Sequence, residues 1–201
     1  MQARGERPPV AVVALGDTSH HDEALPARVM GRSRTLIGEI GRLRSRPATL
    51  SFADQPETDG SLALAAAPAP TAGRLVEWVE CGGASARLDR VLEGRRRVVL
   101  IDTVSFGEKP GTVCHWHLGR GGDRGKITAL RHYHKTRTMG LDHLAFWLED
   151  DLPPGGLDFI GIEPHDLSEG EGISTPLRKK LVTISSQVTA VLLRVLAEEG
   201  W

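Results

Sequence analysis

The run Val10–Leu15 is the feature that most constrains how this chain can fold. It consists of six consecutive apolar residues between turn-forming residues, which predicts a strand buried on both of its faces. Such strands belong mainly to parallel sheets that helices cover on either side. Gly16 and Asp17 end the run, and the polar loop after them leads to two adjacent acids, Asp22 and Glu23.

The loop after this strand allows two interpretations. In a parallel α/β sheet, ligands bind at the loops that leave the carboxyl ends of strands, so Asp17, Asp22 and Glu23 are candidate site residues. Alternatively, Asp22 and Glu23 cap the helix that follows, because acidic side chains are favoured beside the unpaired N–H groups of a first helical turn. Taken alone, this stretch favours the capping interpretation.

The rest of the chain alternates between predicted strands and predicted helices. Further strands are predicted at 75–80, 95–102, 112–118 and 157–164, and helices at 26–43, 85–92, 140–148 and 174–199, the last capped by Ser174 or Thr175. This order predicts an α/β three-layer sandwich: a mostly parallel, twisted sheet of about five strands with helices on both faces. The length of 201 residues fits a single domain, 1–201, with a Pro- and Ala-rich surface insertion at 45–73.

The amino-acid composition of the chain limits which kinds of molecule it is expected to bind. Lys plus Arg is 25 and Asp plus Glu is 26, so the net charge of -1 gives no general attraction to nucleic acid or to an anionic membrane. No apolar run approaches the roughly 20 residues that cross a bilayer, and the first residues lack a signal-peptide pattern. Cys81 and Cys114 are too few for a disulfide framework. We therefore expect a cytoplasmic protein with no nucleic-acid or membrane partner.

Two carboxylates follow the first and third apolar strands. Glu23 and Asp102 would come close together if these strands are neighbours in the sheet, and they could then hold a divalent metal or divide the roles of acid and base. Oxygen ligands alone favour Mg²⁺ or Ca²⁺, whereas an added histidine favours Zn²⁺, Ni²⁺ or another transition metal. His20 and His21 lie beside the first carboxylate, and His134 lies in a basic segment.

Two further histidines lie on a predicted strand. His115 and His117 are two residues apart and therefore share one face, while Cys114, Trp116 and Leu118 share the other. This alternation favours an apolar face in the core and histidines that point toward water.

Five short motifs follow one another along the chain. The first motif consists of Gly16-Asp17, then Asp22-Glu23 after a four-residue spacer, then Arg28-Val29. The other four motifs are Cys81-Gly82-Gly83, Asp102 followed by the turn Gly107–Gly111, the segment Gly161–Pro164, and the segment Gly170–Ser174. In this order they resemble the hydrogenase maturation protease family, the endopeptidases that trim the C-terminal tail of the NiFe-hydrogenase large subunit. The resemblance covers most of the chain apart from residues 45–73 and about 119–135.

The resemblance implies a three-layer α/β fold and a metal site made by one Glu or Asp, one Asp and one His. Carried over to this chain, the first two ligands are Glu23 and Asp102. Arg137 occupies the expected His position, so His134 is the nearest candidate for the third ligand, and Asp17 replaces the usual Asn. The implied metal is Ni²⁺ carried by the substrate, although another divalent metal is possible.

The implied activity is cleavage of the C-terminal extension of a nickel-loaded NiFe-hydrogenase large-subunit precursor, with Glu23 and Asp102 as catalytic residues. The metal or a carboxylate would activate water for hydrolysis of one peptide bond. Because arginine does not bind metals, Arg137 favours an alternative, a non-catalytic paralogue that binds a maturation partner or metal without cleaving. The glycine-rich segment 119–125 leaves a weaker third possibility, a nucleotide-binding module.

Overall fold

The structure is a computed structural model that describes residues 8–16, 18–44, 75–82, 88–119 and 152–201. Its strands are β1 (Val10–Leu15), β2 (Val76–Gly82), β3 (Arg97–Thr103), β4 (Val113–Leu118) and β5 (Leu157–Ile162). The described helices are α1 (Leu25–Arg44), α2 (Leu88–Leu92) and α3 (Thr175–Glu198). A single 3-10 turn, His21–Ala24, leads directly into α1.

The five strands form one sheet in the order β2-β1-β3-β5-β4. β1 pairs in parallel with both β2 and β3, and β3 pairs in parallel with β5. β4 runs antiparallel to β5. The prediction of a mostly parallel α/β sheet is therefore confirmed, and the carboxyl ends of β1 and β3 meet at one edge of the sheet because Ala14 lies opposite Ile101.

Helices cover both faces of the sheet, which gives the predicted three layers. All residues of β1 and β3 are buried, as expected for strands covered on both sides. One face packs against α1 and α3 through apolar side chains that include Val12, Val99, Ile160, Val29, Ile37, Val188 and Leu192. On the other face, side chains of the sheet pack against Val91 and Leu92 of α2 and against Phe106, whose ring contacts that of Trp116 in β4.

α1 forms despite its three glycines, which disfavour helix by about 1 kcal/mol each relative to alanine. Leu25, Val29 and Ile37 are fully buried along one side of it. Ser33 on the same helix is buried and accepts a hydrogen bond of 2.9 Å from Thr189 of α3. Packing of this side against the sheet and α3 stabilises the helix, as is usual for amphipathic helices in folded proteins.

α3 is long and apolar enough, by length and composition alone, to cross a membrane. The sequence expectation concerned an unbroken apolar run, which α3 does not contain, but the average composition of the helix does reach that of a membrane-spanning segment. One side of α3 is buried in the protein core, through Leu177, Ile184, Val188, Leu192, Val195 and Leu196. The apolar character of α3 is accounted for by this buried side.

Several predicted segments lie outside the described residues. They are the insertion at 45–73, the helix at 140–148, the first residues of the helix at 85–92, and the glycine-rich segment 119–125 beyond Gly119. These stay predictions.

Candidate active site

Glu23 and Asp102 lie at the edge of the sheet where the parallel strands end. Glu23 belongs to the 3-10 turn after β1, and Asp102 is the next-to-last residue of β3. β1 and β3 are neighbours, and the turn contacts β3. Each of the two acidic residues is only 3% exposed, and Oδ1 of Asp102 accepts a hydrogen bond of 2.8 Å from the backbone N–H of Thr103. Both predicted carboxylates therefore occupy one shielded edge of the sheet.

Gly16 allows the chain to fold back closely on itself at this edge. Its φ of +120° lies in a region that side chains disfavour, and a Cβ atom on it would lie 2.1 Å from the carbonyl oxygen of Glu23. No side chain fits at this distance. Gly16 thus lets the backbone of Glu23 lie directly against the end of β1.

Asp22 is fully buried and binds a loop that is distant in sequence. Its Oδ2 accepts hydrogen bonds from the backbone N–H groups of His165 and Asp166, at 2.8 and 2.7 Å, and from the Ser174 hydroxyl at 3.0 Å. Its Oδ1 accepts one of 2.8 Å from the backbone N–H of Ser174. The capping interpretation is therefore wrong for Asp22, because its bonds go to the loop between β5 and α3 and not to α1. Ser174 is the N-cap residue of α3, but its hydroxyl makes no capping bond.

A third buried carboxylate, Glu163, holds the loop that follows Asp102. Its Oε2 accepts hydrogen bonds from the backbone N–H groups of Phe106 and Glu108, at 2.8 and 3.1 Å. Its Oε1 accepts one of 3.3 Å from the Ser105 hydroxyl. Glu163 follows directly after β5, so the end of that strand fixes the loop after β3.

Glu163→Gln is expected to lower the free energy of unfolding by about 1–3 kcal/mol. The amide loses the negative charge that strengthens the hydrogen bonds from the N–H groups of Phe106 and Glu108, and an N–H donor replaces the oxygen that accepts from the Ser105 hydroxyl. Urea denaturation measures the change, and Glu93→Gln, which alters an exposed carboxylate, is the control. Equal midpoints for the two variants would show that the loop does not need the charge of Glu163.

The histidines of the first loop also lie at this edge. His20 forms an isolated bridge with Glu169, and the ring of His21 covers Gly170, where a Cβ atom would lie 2.2 Å from Nε2. Both histidines thus join the loop after β1 to the loop after β5. Sequence reasoning placed them beside the carboxylates but gave no partner for either.

A complete metal site is not visible in the part of the chain that the structure describes. Within it, no group of three or more His, Cys, Asp or Glu side chains is arranged to hold a metal ion. Glu23 and Asp102 offer carboxylate oxygens, which suit a divalent cation, and a further ligand would have to join them. The predicted third ligand His134, together with Arg137 and Asp17, lies outside the described residues.

His115 and His117 lie on β4 and surround a buried acid of β5. His115 Nε2 is 2.8 Å and His117 Nδ1 is 3.2 Å from Oδ1 of Asp158, a residue with no exposed surface. Arg97 donates a hydrogen bond of 2.7 Å from Nε to Oδ2 of Asp158 and pairs with Glu198 of α3. The expectation that the two histidines point toward water is confirmed for His117, whose side chain is 46% exposed, whereas the side chain of His115 is 23% exposed. The bonds of both rings to Asp158 were not expected. These groups lie where β3 and β5 begin, at the edge opposite Glu23 and Asp102.

The fold of this chain resembles that of several proteins with solved structures. No family model and no curated protein matches the chain, but solved structures do. The hydrogenase maturating endopeptidase HybD from E. coli has a TM-score of 0.57 at 17% identity, over 92% of this chain and 93% of that one. An endopeptidase from Escherichia coli, solved in solution, has a TM-score of 0.58 at 19% identity, over 92% of this chain and 93% of that one. This chain has the fold of the hydrogenase maturation endopeptidases.

The archaeal HybD maturation protease of Thermococcus kodakarensis shares the fold as well. Its TM-score is 0.53 at 19% identity, over 90% of this chain and 97% of that one. The match spans nearly the whole length of both chains. The family resemblance expected from five short motifs is thus confirmed at the level of fold, in a chain that has diverged far in sequence.

Proposed function

We propose that the protein is an endopeptidase that removes the C-terminal extension of a NiFe-hydrogenase large-subunit precursor. One observation carries the proposal. Glu23 and Asp102 are buried carboxylates at the carboxyl ends of two neighbouring parallel strands. The proposal is supported by the fold, whose solved examples include proteins named as hydrogenase maturation endopeptidases.

The proposed chemistry is hydrolysis of one peptide bond. One carboxylate accepts a proton from a water molecule as the water oxygen attacks the scissile carbonyl carbon. The C–N bond then breaks as the same carboxyl group gives the proton to the leaving amine, and the trimmed chain keeps the water oxygen in its new C-terminal carboxyl group. In this proposal the nickel ion belongs to the precursor, and Glu23 and Asp102 contact it when the precursor binds. His134 or a group of the precursor completes the set of ligands.

The proposal also places the reaction in the cytoplasm. The chain has two cysteines, Cys81 and Cys114, which are too few for a disulfide framework. So low a cysteine content suits a reducing compartment, where disulfides are rare.

Asp102→Asn and Glu23→Gln test the proposal, because each removes a charge with little change in size. We expect each variant to lower kcat/KM for the precursor at least about 100-fold, as removal of an acid–base group does. Mass spectrometry of the precursor tail measures cleavage. Glu39→Gln, which alters an exposed side chain of α1, is the control and should cleave like the wild type. Full cleavage by folded Asp102→Asn would contradict the proposal.

The alternative is a non-catalytic paralogue that binds the precursor or metal and leaves the tail intact. Arg137 favours it, since arginine stands where the family has a metal-binding histidine. The same assay separates the two functions. Capture of a nickel-loaded precursor with an uncut tail, at protein concentrations that saturate binding, would support the paralogue.

A further inference from the structure

We propose that Asp22 is a positioning residue that holds Glu23 in place for the proposed reaction. Its carboxylate fastens the 3-10 turn to the loop between β5 and α3, and Glu23 is the next residue of that turn. The inference about catalysis rests on the proposed function. The contact between turn and loop does not depend on it.

The hydrogen bonds of Asp22 occupy most of the acceptor capacity of its carboxylate, with three at Oδ2 and one at Oδ1. An ionised carboxylate has about four lone-pair positions, and that of Asp22 accepts four hydrogen bonds. Three of the donors are backbone N–H groups, which cannot turn away. Proton uptake or metal binding by this carboxylate would compete with these bonds, which hold the turn to the loop. The two adjacent acids therefore divide their roles: Asp22 positions the turn, and Glu23 is left for chemistry.

The loop bound by Asp22 also leads into the amino end of α3. The backbone N–H and the hydroxyl of Ser174, the N-cap residue of that helix, both donate to Asp22. A negative charge is favoured at this end of a helix because the exposed N–H groups carry partial positive charge. Asp22 thus anchors the turn to a helix of 24 residues that is packed in the core.

Hydrogen bonds between backbone groups also join the 3-10 turn to the loop between β5 and α3, and they restrict movement of the turn. The N–H groups of His21 and Asp22 donate to the carbonyl oxygens of Ser168 and Asp166, at 3.2 and 3.0 Å. On the other side the backbone of Glu23 lies against Gly16. Glu23 is therefore fixed from both sides, and the carboxylate of Asp22 supplies four of the bonds on one side.

Hydrogen exchange of Asp22→Ala tests the contact between turn and loop. The amides of His165, Asp166 and Ser174 lose their acceptor, so we expect them to exchange at least about tenfold faster under conditions where the protein stays folded. Glu171→Gln is the matched control, because it alters an exposed acid of the same loop, and its exchange at these amides should be unchanged. Unchanged exchange in Asp22→Ala would overturn the inference.

Precursor cleavage tests the effect on Glu23. A displaced Glu23 should lower kcat of Asp22→Ala at least about tenfold while KM changes less than about threefold, since small misplacements of reacting groups are costly. The double variant with Glu23→Gln should be no slower than Glu23→Gln alone, because both changes act on one group. A wild-type kcat in folded Asp22→Ala, or additive losses in the double variant, would overturn the inference. If the wild-type protein cleaves no precursor, the proposed function fails. Hydrogen exchange then still tests whether Asp22 holds the turn to the loop between β5 and α3.

Discussion

Gly16→Ala is expected to abolish most precursor cleavage and to lower the free energy of unfolding by about 3 kcal/mol or more. The added methyl group would lie 2.1 Å from the carbonyl oxygen of Glu23, and the backbone φ of +120° is unfavourable for alanine in addition. Either β1 or the turn must move, and the turn carries the catalytic candidate. Cleavage rates and urea denaturation measure the two effects.

Gly94→Ala is the matched control for the backbone contribution. Gly94 also has a positive φ, +73°, but a Cβ atom there meets no atom within 4 Å. Its replacement should cost about 1 kcal/mol from backbone strain alone and leave cleavage intact. Similar losses in the two variants would show that strain, and not the contact with Glu23, explains the effect of Gly16→Ala.

Asp158→Ala should be the most destabilising change at the opposite edge of the sheet, at about 3–5 kcal/mol. It leaves the buried guanidinium of Arg97 without its main partner and removes the acceptor shared by His115 and His117. Thermal and urea unfolding measure the loss. Glu80→Ala, an exposed acid of β2, should scarcely change the midpoint. A small loss for Asp158→Ala would mean that the histidine and arginine side chains find other partners.

The same carboxylate should make stability depend on acidity. Burial alone would raise the pKa of Asp158, but hydrogen bonds from His115 and Arg97 outweigh it and hold the pKa below its usual range. A carboxyl whose pKa is lower in the folded state contributes stability above its unfolded pKa of about 3.9 and loses it as the pH falls further. The wild type should therefore lose stability more steeply than Asp158→Asn below about pH 4. Parallel curves would contradict this assignment.

The fold was predictable because its central strands are marked by composition. Val10–Leu15 and the run ending at Asp102 are apolar enough to indicate burial on both faces, and the turn residues after them indicate the edge where loops leave the sheet. Periodicity likewise predicted α1, although packing was needed to outweigh its glycines. The order of the strands in the sheet was not predicted, because strands that pair in the sheet are far apart along the chain.

The division of roles between Asp22 and Glu23 could not be predicted, because it depends on a loop more than 140 residues further along the chain. Adjacent acids look equivalent in sequence, and only the backbone groups of the 165–174 loop distinguish them. The sequence position of Asp158 could have predicted the buried cluster around it. It is an acid inside the apolar run Leu157–Ile162, and a charge in such a run must find partners.

The strand order bears on what happens while the chain is being synthesised. β3 lies between β1 and β5, and β4 pairs with β5, but β5 begins only at Leu157. Until that part of the chain leaves the ribosome, the apolar edge of β3 and the paired edge of β4 lack the strand that joins them. Unpaired strand edges bind other extended chains. Until β5 is made, β3 therefore has one strand edge that can pair with another extended chain.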